Sequence, residues 1–113
     1  GFHIPSDEEW TILAGFLGGS AGSQLAGNAD LWNSGVLVDN PAFGTSGFLA
    51  LPGGDRTGHI GNYNHMGYNG YFWSSTAGNS SHAWNRVLDY YNSEVYRNDD
   101  YLRYGFSIRC LED

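Results

Sequence analysis

The sequence predicts an α+β fold, with one or two helices near the N-terminus packed on a small antiparallel sheet built from the C-terminal half. Three observations predict it. A helix-start signature stands at residue 6, 17 glycines interrupt any long periodic segment, and from Tyr71 onward aromatic and β-branched residues alternate with polar ones. The chain of 113 residues has the length of one compact unit, so a single domain over residues 1–113 is expected.

The first helix is read from "PSDEEWTILAGFLGG". Ser6 is the N-cap, Glu9 stands three residues on, acidic residues fill the first turn, and Gly18-Gly19 stops the helix. Trp10, Leu13, Ala14 and Leu17 then form one apolar stripe at helical spacing. "SAGSQLAG" reads as a short second helix ended by Gly27, and residues 28–47 read mostly as loop. "GFLALPGG" reads as a short buried strand stopped by Pro52, followed by a long Gly-, Asn- and His-rich connection to Gly70. Four strands are then expected as a meander: "YFWSSTA", "AWNRVLDYY", "EVYRND" and "YGFSIRCLE".

Composition narrows the partners. Net charge is −7 and all five basic residues are arginine, so no patch could neutralise a row of phosphates or dock on anionic lipid. Nucleic acid is not an expected partner. No apolar run approaches the length needed to cross a bilayer, so membrane insertion is not expected either. Gly1 is not an initiating methionine and no signal-peptide pattern follows it, which leads us to expect the C-terminal part of a longer or processed protein.

The segment "LDYYNSEVYRNDDY" carries the functional expectation. A two-residue turn at Asn92-Ser93 would pair Asn85 with Asp100, Val87 with Asn98, Asp89 with Tyr96 and Tyr91 with Glu94 on one face. The other face would hold Trp84 opposite Tyr101, Arg86 opposite Asp99, Leu88 opposite Arg97 and Tyr90 opposite Val95. With Trp84, Leu88, Tyr90 and Val95 turned inward, the first face offers Asn85, Asp89, Tyr91, Glu94, Tyr96, Asn98 and Asp100 to solvent. Val87, Asp99 and Tyr101 complete the candidate ligand-binding set. Tyrosine supplies stiff amphipathic contact area, and Asn, Ser and Asp supply adaptable hydrogen bonds, the mixture found in antigen-binding loops. The plain alternative is an antiparallel sheet with one wet side.

"GFHIPSDEEW" and "YGFSIRC" resemble the opening and closing signatures of the formylglycine-generating-enzyme-like branch of the C-type-lectin-like fold. More closely, "ALPGG", "NGYFWSST", "AWNRVL" and "YGFSIRCLED" are similar to the Fibrobacter succinogenes major paralogous domain, a family of bacterial surface and secreted modules. The resemblance spans nearly the whole chain. It implies a C-type-lectin-like fold with helices beside a small twisted sheet, chain ends brought together, and an extracellular place on a bacterial cell surface or virion. Related domains serve as variable proteins of diversity-generating retroelements, in which Asn codons near the C-terminus are rewritten. Residues 79–104 are rich in the residue types that result.

Enzymatic readings are weaker. Formylglycine-generating enzymes use a cysteine pair, whereas Cys110 stands alone and alternates with Phe106 and Ile108 as a buried small residue. Sugar-binding C-type lectins hold calcium with Glu-Pro-Asn or Gln-Pro-Asp and a Trp-Asn-Asp triplet; Trp84-Asn85-Arg86 is the nearest echo. Gly18-Gly19-Ser20-Ala21-Gly22 matches a nucleophile elbow in spacing but follows a helix, in a chain too short for that hydrolase sheet. His59 and His65 lack a third ligand at characteristic spacing, and Glu8 and Glu9 are explained by capping. No metal or cofactor is assigned. A structural calcium held by loop oxygens stays open, because Asp89, Asp99 and Asp100 form no regular loop pattern. Trp10, Trp32 and Trp73 are expected in the core, and Arg109 on backbone carbonyls or a carboxylate. The expected function is therefore non-enzymatic recognition of an extracellular protein or glycan, with a structural or adhesive module of a surface assembly as the alternative.

Overall fold

The computed structural model describes residues 1–113. Helix α1 (Asp7–Leu17) begins where its capping box requires: the Glu9 amide donates to Ser6 Oγ at 3.1 Å and the Ser6 amide donates to Glu9 Oε1 at 3.1 Å. Only Trp10 of its apolar stripe is fully buried. Leu13 and Leu17 pack partly on the core, while Ile12 and Phe16 face solvent. Helix α2 (Ala21–Leu25), a 3₁₀ turn (Ala29–Leu31) and the one-turn helix α3 (Val36–Asp39) follow.

Before α1 lies β1 (Phe2–His3), and the long connection after α3 contains a small hairpin of β2 (Asp55–Arg56) and β3 (Tyr63–Asn64) that sequence reading took for loop. The main sheet has the order β4-β5-β6, from β4 (Asn69–Ala77), β5 (His82–Asp89) and β6 (Asn92–Tyr101). A last strand, β7 (Leu111–Glu112), pairs antiparallel with β1 and brings the chain ends together.

Two expected strands did not form as read, the second keeping only its last two residues as β7. "GFLALPGG" makes only isolated bridges, Ala50 to Ala26, where both fully buried alanines allow two backbones to touch, and Gly54 to Gly70. "YGFSIRCLE" does not continue the meander beyond β6. Instead Ser107 bridges the free edge of β4 in parallel, with its amide on the Tyr71 carbonyl at 2.9 Å, and Phe106 lies on Tyr71 and Trp73 at ring-centroid distances of 4.8 and 4.4 Å. Consequently Ile108 and Cys110 are exposed, which corrects the buried role expected for Cys110. Arg109 does reach a backbone carbonyl, donating to that of Phe48 at 2.7 Å.

The core gathers Trp10, Leu25, Ala26, Trp32, Leu37, Ala50, Phe72 and Leu88 between the helices and one face of the sheet. Trp10, Phe48 and Phe72 form its aromatic centre, with centroids 5.8 to 6.1 Å apart. Trp32 is placed as expected and donates Nε1 to the Gly27 carbonyl. Trp73 lies on the opposite face, beneath Phe106. Trp84 is also outside the core: it is half-buried under the Arg97 guanidinium, 3.5 Å from the ring centroid.

Hairpin β5–β6 turns two residues earlier than expected. Asp89 pairs with Asn92 around Tyr90-Tyr91, and a bulge separates that pair from Leu88–Val95. The cause is local. Asp89 Oδ1 accepts from the Tyr91 amide at 2.9 Å and Asn92 Oδ1 from the Glu94 amide at 2.8 Å, while the Tyr90 carbonyl accepts from Leu37 of α3. Beyond the bulge each partner moves by two residues, so Trp84 faces Asp99, Asn85 faces Asn98 and Val87 faces Tyr96. An even shift preserves which side chains share a face. Arg86 now lies opposite Arg97, and Asp7 of α1 reconciles the like charges with contacts of 2.6 and 2.8 Å.

Candidate functional site

The face expected to be displayed is open along its outer strand only. Asn85 is 0% exposed and Val87 is buried, so neither is offered to solvent, contrary to expectation. Their β4 partners are Trp73 and Tyr71, the two rings that Phe106 covers. A sheet whose alternation is correctly read can still be covered on both sides, here by the closing segment.

On β6 and its turn the candidates are accessible. Tyr91 is 69% and Tyr96 45% exposed, and Glu94 and Asn98 are also exposed. The Tyr96 hydroxyl accepts from the Asn92 side-chain amide, and Glu94 accepts from the Ser20 amide at 2.8 Å. These bonds hold the side chains over a backbone already fixed by β5. Near the turn Tyr68, Tyr90 and Tyr91 cluster, with centroids 5.2 and 4.5 Å apart. Asp89 is half-buried and engaged in that turn. At the other end Tyr101 packs on His82 at 4.2 Å, and Arg103 lies over its ring. Asp99 belongs to the opposite face, beside Trp84.

Asp100 and Asn98 look into a groove of ≈ 280 Å³ that sequence reading missed, lined also by Asp55, Thr57, His65, Tyr71, Tyr104 and Phe106. Five separate segments contribute to it, and no local spacing announces such a convergence. His65 was the one partial signal. Its Nδ1 contacts Asp55 Oδ1 at 2.6 Å rather than pairing with His59. No group of three or more His, Cys, Asp or Glu side chains comes together that could hold a metal ion.

The groove is electronegative. Burial pushes the Tyr71 hydroxyl up to about 12, and the charges of Asp55, Asp100 and Asp89 add to the effect. Burial likewise raises the Asp100 carboxyl above its usual range; the Asn85 amide, donating at 2.9 Å, opposes the shift, whereas Asp99 and Asp55 reinforce it. Ser20, the centre of the nucleophile-elbow spacing, joins α1 to α2 with no strand before it, and its Oγ accepts from Asn40 at 2.9 Å.

No curated protein and no solved structure matches this chain. The model of one family, the Fibrobacter succinogenes major domain, matches residues 1–112, and the blocks that suggested it occupy the segment just before β2, then β4, β5 and the closing segment, in that order. Matched over almost its entire length and built as a helix-flanked antiparallel α+β unit, the chain belongs to the Fibrobacter succinogenes major domain family.

Proposed function

We propose that the domain is a non-enzymatic recognition module that binds an extracellular protein or glycan, on a bacterial cell surface or virion, through the outer face of β6 and its turn. Family membership supports a surface module. The observation that carries the reading is the exposure of Tyr91 in the turn and of Tyr96 and Asn98 on β6, a strand whose backbone pairs with β5 from Val95 to Tyr101. A paired strand cannot yield when side chains change, so contact chemistry varies over a constant frame. The test is interferometry of the domain against purified surface proteins and glycans, with the Tyr91→Ser/Tyr96→Ser variant alongside. Binding should fall at least about tenfold in the variant. Its unfolding free energy should stay within roughly 0.5 kcal/mol per site. Equal binding by both proteins overturns the reading.

The finer reading makes this face hypervariable through a diversity-generating retroelement. Over residues 79–104 such variation must avoid Ala83, Asn85, Arg86, Val87 and Leu88, all buried in β5. It should concentrate at Asn79, Tyr91, Glu94, Tyr96 and Asn98, which are exposed. Sequencing the locus from several isolates checks this, and changes spread evenly through the chain would count against it.

A further inference from the structure

The groove beside β6 brings two carboxylates, Asp55 and Asp100, to one aromatic-lined surface. His65 occupies one oxygen of Asp55 and Asn85 one oxygen of Asp100, leaving the other oxygen of each carboxylate without a protein donor. None of the five arginines forms an ion pair with either: Arg86 and Arg97 are taken by Asp7, and Arg109 by the Phe48 carbonyl. Asn85 lies behind Asp100, outside the groove's lining: it is 0% exposed and donates Nδ2 to Asp100, which fixes that carboxylate in place.

The aromatic lining says which donor fits. Tyr71 and Phe106 are nearly parallel, 4.8 Å and 13° apart, and Tyr104 continues the same orientation 3° from Phe106. Flat parallel rings beside carboxylates suit a planar, delocalised cation that stacks on an aromatic face and donates in a fork to oxygen. A metal ion would need more convergent ligands than are present. The chain already seats arginine in this manner, since Arg97 lies over Trp84 while donating to both oxygens of Asp7.

We propose that the groove formed by Asp55, Tyr71, Asn98, Asp100, Tyr104 and Phe106 seats an arginine side chain presented by a protein partner. The proposal rests on the recognition reading above and deepens it, making the partner a protein with an exposed basic residue. The net charge of −7 favours the encounter with such a surface.

The experiment is an NMR titration of the intact domain with acetyl-Gly-Arg-Gly-amide, with the isosteric citrulline peptide and lactose as comparisons. The arginine peptide should move the Asn98 side-chain amide and the Tyr104 and Phe106 ring signals, weakening as salt is raised. Citrulline should bind at least about tenfold more weakly, since it keeps the shape and loses the charge. Asp100→Asn and Asp55→Asn should each weaken binding to a similar degree, with the remaining amide spectrum unchanged to show that the fold persists. Equal binding of citrulline, a response to lactose in place of arginine, shifts mapping elsewhere, or no shift at all overturns the seat. If surface ligands still depend on Tyr91 and Tyr96, such a result removes the arginine seat alone; loss of that dependence removes the recognition reading.

Discussion

Asp7 carries more of this structure than its place in a helical first turn announces. It reaches 79 residues along the chain to Arg86, which is only 3% exposed, and 90 residues to Arg97, joining α1 to both strands of the hairpin. Hydrogen bonding from Arg97, helped by Arg86, holds its carboxyl below the usual carboxylate range despite partial burial. Removing it leaves a buried guanidinium beside a like charge. Asp7→Ala should therefore lower unfolding free energy by about 3–5 kcal/mol, read from urea denaturation at neutral pH. Because the carboxyl is depressed in the folded state, its contribution is present above the ordinary value of 3.8 and is lost as pH falls through the lower folded value. The difference between wild type and variant should shrink on acidification. Arg97→Ala should cost less, since that side chain is 47% exposed.

At the scale of elements, the hairpin is held by close backbone approach as much as by its own pairing. A Cβ on Gly22 of α2 would stand 2.4 Å from the Glu94 carbonyl oxygen, and one on Gly35 would stand 2.4 Å from that of Tyr90. Glycine there sacrifices helix propensity so that α2 and the start of α3 can lie directly on the bulged turn. Gly22→Ala should destabilise by roughly 1–3 kcal/mol through overpacking. Gly15→Ala, at a position in α1 where a Cβ meets nothing within 4 Å, should instead stabilise by up to about 1 kcal/mol. Thermal melts of the two variants should move in opposite directions; movement in the same direction would contradict the contact. Such contacts also explain what was legible beforehand. Helix α1 could be read because Ser6, Glu9 and Gly18 are local signals, and the faces of β5 and β6 because alternation survives an even register shift. The turn could not, since Leu37 and the Asp89 and Asn92 side chains set it together. The closing segment alternates like a strand although only Ser107 bridges the sheet, and the groove draws Asp55, His65 and Tyr104 from segments with no shared spacing.

Across the whole molecule, one small clasp ties the chain ends to the first helix. His3 lies in β1 with Nε2 2.9 Å from Glu9 and Nδ1 2.8 Å from Asp113, while the Asp113 amide donates to the Gly1 carbonyl. Glu9 is the same carboxylate that completes the capping box of α1, so β1, β7 and the helix start share one electrostatic joint. The contact with Glu9, followed by that with Asp113, raises the His3 titration above its usual 6.5, and the contact with His3 lowers that of Glu9 below 4.5. A raised histidine stabilises fully below 6.5 and ceases to do so as pH climbs through its folded value; a depressed glutamate stabilises above 4.5 and ceases as pH falls through its own. The clasp is therefore at full strength between those values. All these groups are exposed, so the effect belongs to local opening of the β1–β7 pair more than to global unfolding. Amide exchange at Asp113, corrected for intrinsic rate, should be slowest near pH 5.5 and quicken as pH rises past 6.5, whereas exchange in β5 should hold steady. His3→Gln should abolish the rise at Asp113 and leave β5 untouched, and a wild-type profile that is flat over the same range would show that His3 does not govern the joint.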